Sequence, residues 1–520
     1  MTRRELLVFV VVCAIAIALL PLFGGGVLWT RPLWFDELCC TVFVVKDSSS
    51  PFDVIANVYR PGDYAPPLLH LIVWFVGRLT GGVTPVVLRS ISLVCVSLGL
   101  LFLYATLRRR FGRAPSAAGT LAVASHSLVL AHAFEGRFYG PWLLFAAAFA
   151  WSLGVDGDRA RSRRRDIAIA ISSILIPTIH WFGVFSLGLM CAAAVAVRGR
   201  RWREGLRLVA PSAAGFIALL VCAPMAIVQR ASSTGMLWVK ELSGQQVMEM
   251  AWLFWLPPPM VLAVVLLLAQ SLRDVPPAAP AATSSPSHPH PLTLLRSPDL
   301  AALTSLALMP VVLVVLSVVL QPSMVPRYGI VAALAWAPLV ALAVASVGRV
   351  ARVAVLALLV TMLCLGAQRT IAEKQEFADL FAVLRTAYEQ AKVARVPIVF
   401  TSMHIIYPTA GLQRSDSMPA RYLDLPDSTI AALFPEPGME PIRKKIRLDR
   451  DQARGHARTY RFPILATQAQ LDTTRRFFLL ATDVSLPGGY KDATLYGRAL
   501  FPKHHVRRVN ELLSIFERTK

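Results

Sequence analysis

The chain has 520 residues, 55% of them hydrophobic and only 16% charged, with a mean hydropathy of +0.56. That is too apolar for an ordinary soluble enzyme. The net charge is +22, and most of the basic excess lies among apolar runs in the first 370 residues. There it reports membrane topology, so a nucleic-acid partner is not needed to explain the high pI.

A bilayer crossing takes about 20 predominantly apolar residues. The first candidate is "LLVFVVVCAIAIALLPLF" at 6–23. It follows Arg3 and Arg4 and is trailed by "GGG", with no small-residue cleavage site, so it reads as an uncleaved anchor. Further spans are predicted at 85–107, 116–134, 138–154, 167–181, 182–197, 207–228, 250–270, 299–320, 328–347 and 351–367. "PPLLHLIVWFVGRL" at 66–79 is apolar but short and closes on Arg78. It reads as a short, tilted or re-entrant helix, which leaves about 11 full spans, or up to about 13 if a pair is missed. The seven cysteines sit mostly in apolar runs and behave as small hydrophobes.

Arginine-dense loops separate several spans: "RRRFGR" (108–113), "RARSRRRD" (159–166) and "RGRRWREG" (198–205). The positive-inside rule places these in the cytoplasm, together with the Pro/Ser-rich linker 271–298 and the turn "GRVAR". The "SHPHP" within that linker reads as low-complexity sequence rather than a metal site. The loops at 24–65, 135–138, 229–249 and 321–327 then fall on the outer face. They contain "LWFDELCC", "YAPPLL", "EGRFYG" and "PSMVPRYG".

From about residue 370 the composition changes. Residues 372–394 carry apolar side chains at helical spacing. "VPIVFTS" (396–402) and "RFFLLATD" (476–483) read as buried strands, and "VRRVNELLSIFERT" (506–519) as a closing amphipathic helix. That predicts a small extracytoplasmic α/β domain at 370–520 after a polytopic domain at 1–369. It shows no glycine loop suited to a nucleotide.

Carboxylates are few before residue 370, so each needs an account. Asp36 and Glu37 lie in the first outer loop, flanked by Trp34 and Phe35, aromatics that favour the membrane interface. They read either as a solvated pair or as a base held at the bilayer surface, where an acceptor hydroxyl must lose its proton. Glu135 and Arg137 lie between two spans, where charge is costly and marks function or mutual pairing. Arg327, followed by Tyr328, opens a later span; such an arginine can bind a phosphate through two parallel hydrogen bonds or anchor the interface. His180 lies at another outer turn, beside Trp181.

Four features occur in order: an acidic loop after the first span, a Pro-Pro-Leu start to the second segment, a Glu-x-Arg-x-Tyr turn, and a late Arg-Tyr opening a span. In that order they resemble the C-type integral-membrane glycosyltransferases, the group of the protein mannosyltransferases and the lipid A aminoarabinose transferases. The resemblance covers roughly residues 1–350. It implies Asp36 as catalytic base and Arg327 as the holder of the lipid phosphate, with Glu135, Arg137 and Tyr139 on the turn that lines the active cavity. Many members have His before Pro-Pro-Leu, whereas here Tyr64 and Ala65 precede Pro66.

The expectation is therefore an all-α polytopic membrane domain of 11–13 transmembrane helices, followed by the small α/β domain, in the cell inner membrane. It would move a sugar from a polyprenyl-phosphate donor to a lipid, glycan or protein acceptor, with inversion. Glu37, Tyr64, Glu135, Arg137, Tyr139, His180, Arg327 and Tyr328 would bind substrate, and Asp36, Glu135 and Arg327 would share one outward cavity. No dedicated metal-ligand cluster is apparent, though a divalent cation between phosphate and carboxylate is chemically reasonable. A transporter or lipid flippase is the alternative, and a membrane scaffold another. A transporter would place ionisable groups near the bilayer midplane and show paired broken helices.

Overall fold

The computed structural model describes residues 26–38, 44–45, 48–59, 65–155, 162–233, 244–254, 296–319, 325–393, 396–400, 420–424, 427–428, 464–467, 470–471, 476–480, 504–508 and 513–518. The anchor at 6–23, Cys39, Cys40, Tyr64, most of the 250–270 span and the linker up to residue 295 lie outside them.

In chain order the helices are α1 (Val27–Thr30), α2 (Phe35–Leu38), α3 (Pro51–Val58), α4 (Leu68–Thr80), α5 (Pro85–Phe111), α6 (Arg113–Ala124), α7 (Ser127–Ala133) and α8 (Tyr139–Leu153). There follow α9 (Arg163–Ile179), α10 (Gly183–Ala196), α11 (Trp202–Val209), α12 (Ala213–Ser233) and α13 (Gly244–Phe254). The last are α14 (Pro298–Ser305), α15 (Met309–Val319), α16 (Trp336–Ala345) and α17 (Arg349–Val393). The chain divides into two compact units. The first comprises Met1–Thr30, Ala65–Ala226 and Val239–Lys374; the second comprises Arg31–Tyr64, Ile227–Trp238 and Gln375–Lys520.

Among the described residues, five helical segments are long and apolar enough to cross a membrane: Pro85–Phe111, Gly199–Arg230, Pro298–Val319, Pro326–Ala345 and Arg349–Asp379. A sixth arises if α6 and α7, bent by 67°, form one broken span. The multi-pass helical architecture has apolar faces on its outside: Ile217, Leu220 and Val221 on α12 and Val311, Val315 and Val318 on α15 are exposed. In water such faces would be a liability; in lipid they are the expected exterior.

Local chemistry sets the helix limits. Thr84 caps α5 by accepting from the Val87 amide (3.2 Å), with Pro85 in the first turn. The bend between α6 and α7 has its cause at His126, whose imidazole Nδ1 accepts from the Leu128 amide (3.3 Å) and starts a new helix. The 13 residues of α4 reach only about 20 Å, less than the roughly 30 Å of a hydrocarbon core. Gly81, at φ +79°, then reverses the chain in the left-handed region open to glycine. The main packing in the first unit joins α5 to α8. Gly140 lets them approach, because a Cβ there would stand 2.5 Å from the Ser92 carbonyl oxygen.

In the second unit Ser50 and Asp53 form a capping box at the start of α3. Its sheet has strands β1 (Ile398–Phe400), β2 (Ala420–Asp424), β3 (Ile464–Thr467), β4 (Arg476–Leu480), β5 (His504–Arg508) and β6 (Leu513–Arg518). The order is β3-β2-β1-β4-β6-β5, with β3, β2, β1 and β4 parallel and the β5–β6 pair antiparallel. Val399 and Phe477 on the central strands are fully buried. Where a closing helix was expected over 506–519, the described residues 506–508 and 513–518 are instead strand, in β5 and β6. Val506 lies opposite Phe516, and Phe516 opposite Phe477, so cross-strand apolar pairs outweigh the local helical spacing.

Candidate active site

In the first unit, the turn 134–138 joins α7 to α8. It is tight: the Glu135 amide donates to the His132 carbonyl (3.2 Å) and the Arg137 amide to the Glu135 carbonyl (2.7 Å). Gly136 is required because any Cβ would overlap the Leu88 side chain. The turn buries both of its charged residues, Glu135 at 4% and Arg137 at 7% exposure. A carboxylate so placed loses several kcal/mol of hydration unless donors replace water. His132 and Lys374 do so, one at each oxygen. His132 Nδ1 is 2.6 Å from Oε2, and Lys374 Nζ donates to Oε1 at 2.8 Å. The Arg137 guanidinium lies 4.7 Å from the centre of the Phe138 ring.

A packed aromatic group adjoins this turn. His180, at the C-terminal end of α9, has Phe138 at 4.2 Å, Trp142 at 4.6 Å, Tyr328 at 5.2 Å and Phe182 at 5.4 Å between ring centres. The Trp142 ring stacks on it at 22°, and the Trp142 indole N–H donates to Ser186 Oγ (3.2 Å). Tyr139 is fully buried, with His132 at 4.6 Å on one side and Phe138 at the same distance on another. The structure thus joins Glu135, Arg137, Tyr139, His180 and Tyr328 through contiguous ring and ion contacts.

Arg327 and Tyr328 stand in the first turn of a ten-residue 3₁₀ helix, Pro326–Ala335, which runs directly into α16. Runs of this length are uncommon. Packing explains this one in part: a Cβ at Gly329 would overlap the Phe254 ring, and the Trp336 indole N–H donates to the Phe254 carbonyl (2.9 Å). Both residues are half-buried, and the Arg327 guanidinium lies 5.9 Å from the Tyr328 ring centre.

The first-loop carboxylates belong to the second unit. Glu37 is fully buried; its Oε2 accepts from Arg31 Nη1 (3.3 Å) and from the Trp34 amide (3.2 Å). That carboxylate closes the N-terminus of α2 and so fixes the turn carrying Asp36, which stays half-buried. Arg31 also lies over the Phe377 ring at 5.9 Å. Tyr64 lies outside the described residues. Among the described residues, no group of three His, Cys, Asp or Glu is placed to hold a metal ion.

Sequence reasoning missed four partners. His132 sits three residues before Glu135, a spacing that a helix end brings together, and was legible. Arg89, a lone charge inside the 85–107 span, was equally visible; it is fully buried and donates to the Trp29 carbonyl (2.9 Å). Arg31 and Lys374 carried no local signal.

No protein-family model and no curated protein matches the chain. Solved structures do. ArnT, an aminoarabinose transferase, from Cupriavidus metallidurans in the apo state is similar at a TM-score of 0.59 and 12% identity, over 98% of this chain and 97% of that one. The same protein bound to undecaprenyl phosphate is similar at 0.56 and 13%, over 99% and 98%. The apo oligosaccharyltransferase of Archaeoglobus fulgidus is similar at 0.45 and 14%, over 79% and 64%. The chain has the fold of the C-type integral-membrane glycosyltransferases.

Proposed function

We propose that the chain is an inner-membrane glycosyltransferase. It moves a sugar from a polyprenyl-phosphate carrier to a lipid, glycan or protein acceptor at the outer face, where residues 370–520 form an extracytoplasmic α/β domain. The observation that carries this reading is the likeness, over nearly the whole of both chains, to ArnT bound to undecaprenyl phosphate. The turn at 134–138 supports it, since charge buried between apolar helices has a cost that function repays.

In this reading Asp36 takes the proton from the acceptor hydroxyl as that oxygen attacks the anomeric carbon. The bond from that carbon to the carrier phosphate breaks in the same displacement, and the configuration inverts. Arg327, with Arg137, binds the departing phosphate; two parallel N–H donors match its oxygens. Stabilising charge that develops in the transition state is a large contribution, roughly 3–4 kcal/mol per donor in comparable sites. Glu37, Tyr64, Glu135, Tyr139, His180 and Tyr328 shape the rest of the site.

The test is transfer by the purified full-length protein, given a panel of polyprenyl-phosphate sugars and membrane-derived acceptors. Turnover with at least one donor, released as polyprenyl phosphate, is expected. Absence of turnover across the panel, together with carrier movement between leaflets in vesicles, would favour a flippase.

A further inference from the structure

Helix α11 (Trp202–Val209) stands near the start of the apolar segment Gly199–Arg230. A 3₁₀ turn at Ala210–Ser212 leads from it into α12, whose 21 residues rise about 31 Å. That matches a hydrocarbon core of about 30 Å, so in a bilayer α11 falls at the level of the lipid headgroups. Helical spacing puts Gly205, Leu208 and Val209 on one side of α11, with Trp202 and Leu206 next to them around the axis. The first three are buried, and Gly205 lies close on α10: a Cβ there would stand 2.8 Å from the Val195 Cα. Trp202 and Leu206 continue the same apolar arc but keep 49% and 47% exposure, so the protein covers only part of it. Arg203 and Arg207, one turn apart and both exposed, border the uncovered part. The Arg203 guanidinium lies 5.5 Å from the centre of the Trp202 ring. Residues 198–207 hold five arginines and a single carboxylate, Glu204, which pairs with Arg201 at 3.7 Å.

We propose that α11 is a binding site for anionic phospholipid: Trp202 and Leu206 seat at the acyl boundary, and Arg203 and Arg207 bind the headgroup phosphate. An apolar edge beside a basic stripe is what a helix at a membrane interface presents, and tryptophan favours that level of the bilayer. A guanidinium gives a phosphate two parallel donors. A zwitterionic lipid also carries a phosphate, but its ammonium group opposes the arginines, so the net charge of the lipid decides which one stays. An acidic protein would match the arginines equally well. Lipid is favoured because α12, which α11 leads into, exposes Ile217, Leu220 and Val221 and is therefore already surrounded by it.

The test places the full-length protein in nanodiscs of phosphatidylcholine containing either acyl-brominated phosphatidylglycerol or acyl-brominated phosphatidylcholine at the same mole fraction. Bromine quenches a tryptophan in contact with the lipid, and the difference between wild type and Trp202→Phe isolates the signal of Trp202. Quenching by the phosphatidylglycerol should exceed that by phosphatidylcholine and correspond to a binding preference of about 10–25-fold, at roughly fivefold per arginine near an anionic surface. Arg203→Gln/Arg207→Gln, read against its own Trp202→Phe counterpart, should bring the preference close to one. Arg203→Lys/Arg207→Lys should keep most of it. Should the glutamine variant fail to fold, raising salt on the wild type from about 0.05 to 0.5 M should lower the preference for phosphatidylglycerol while leaving quenching by phosphatidylcholine unchanged. Equal quenching by both lipids in the wild type would show that α11 touches the membrane without selecting charge, and would overturn the proposal. So would a Trp202 quenched by neither lipid; binding of polyglutamate in that case would make the face a dock for an acidic protein.

Discussion

Helix α8 separates two buried carboxylates that are held in different ways. Before its N-terminus stands Glu135, with His132 and Lys374 on its oxygens and an aromatic group around His180 beside it. Just past its C-terminus, about 22 Å along the axis, stands Asp299, fully buried and paired with Arg110 at 3.5 Å. Arginines dominate that second end. Arg109 donates to the Trp151 carbonyl in the last turn of α8 (3.0 Å) and lies over the Trp151 ring at 5.0 Å. Arg352 similarly serves the end of α16, donating to the Val347 and Ala345 carbonyls. These guanidinium groups satisfy helix C-terminal carbonyls and complement the helix dipole, which is a structural task. At the Glu135 end the contacts named run from side chain to side chain. Charge buried in an apolar helical protein therefore needs its partners identified before it is assigned a role.

The largest effect expected from this contrast is on turnover, from a residue in neither buried pair. Asp36→Asn keeps shape and removes the proton acceptor, and should lower transfer by about 10²–10⁴-fold while leaving the melting temperature close to wild type. Binding of undecaprenyl phosphate, measured by native mass spectrometry, should survive. Arg327→Ala should weaken that binding as well as turnover, and Arg327→Lys should restore only part because one ammonium cannot reproduce the guanidinium fork. Near-normal turnover in Asp36→Asn would remove the first-loop base from the mechanism.

The next pair of variants sets stability against activity. Glu37→Gln leaves Arg31 buried without its counter-charge and should cost about 3 kcal/mol, read as a lowered melting temperature. It should therefore behave unlike its neighbour Asp36. Asp299→Asn should cost less, about 1–2 kcal/mol, since Arg110 retains 31% exposure and water can solvate it. Turnover per folded Asp299→Asn molecule should match wild type. If Asp299→Asn instead loses turnover at full stability, the two ends of α8 do not differ as described.

Much of this arrangement was legible in the sequence. Helices occupy the stretches predicted as spans at 85–107, 138–154, 182–197, 299–320 and 351–367, because hydrophobic length alone identifies them. Glu135 and Arg137 stood out for the same reason inverted, as charges where charge is costly. The break at Ser125–His126 was not read, although His126 is an N-cap donor-acceptor inside an apolar run and hence a local signal. The distant partners of Glu135 and Asp299 were beyond reach in principle. Lys374 lies 239 residues from Glu135, and Arg110 lies 189 from Asp299, so only tertiary packing selects them. The antiparallel pair β5–β6 was missed because its apolar residues satisfy helical spacing as well as strand pairing, and only the neighbouring strand β4 decides between them.

The smallest expected effect concerns a third kind of carboxylate, exposed and satisfied locally. Asp53 accepts from the Ser49 hydroxyl and from the Ser49 and Ser50 amides (3.0 and 2.9 Å) at the start of α3. Hydrogen bonds from Ser49 and then from Ser50 hold its pKa below the ordinary 3.8. A carboxylate with a depressed folded pKa stabilises the fold above its unfolded pKa, and that contribution is lost as pH falls through the folded value. At pH 6 the cap is therefore at full strength, and Asp53→Asn should speed hydrogen exchange across residues 49–58 relative to wild type. Once the pH is below the folded value the wild-type carboxyl is neutral too, and the two proteins should exchange alike after correction for intrinsic rates. Salt should change little, because the donors are neutral groups, whereas the Lys374–Glu135 pair carries opposite charges. Equal protection of α3 in both proteins at pH 6 would show that its start is held by packing rather than by the capping box.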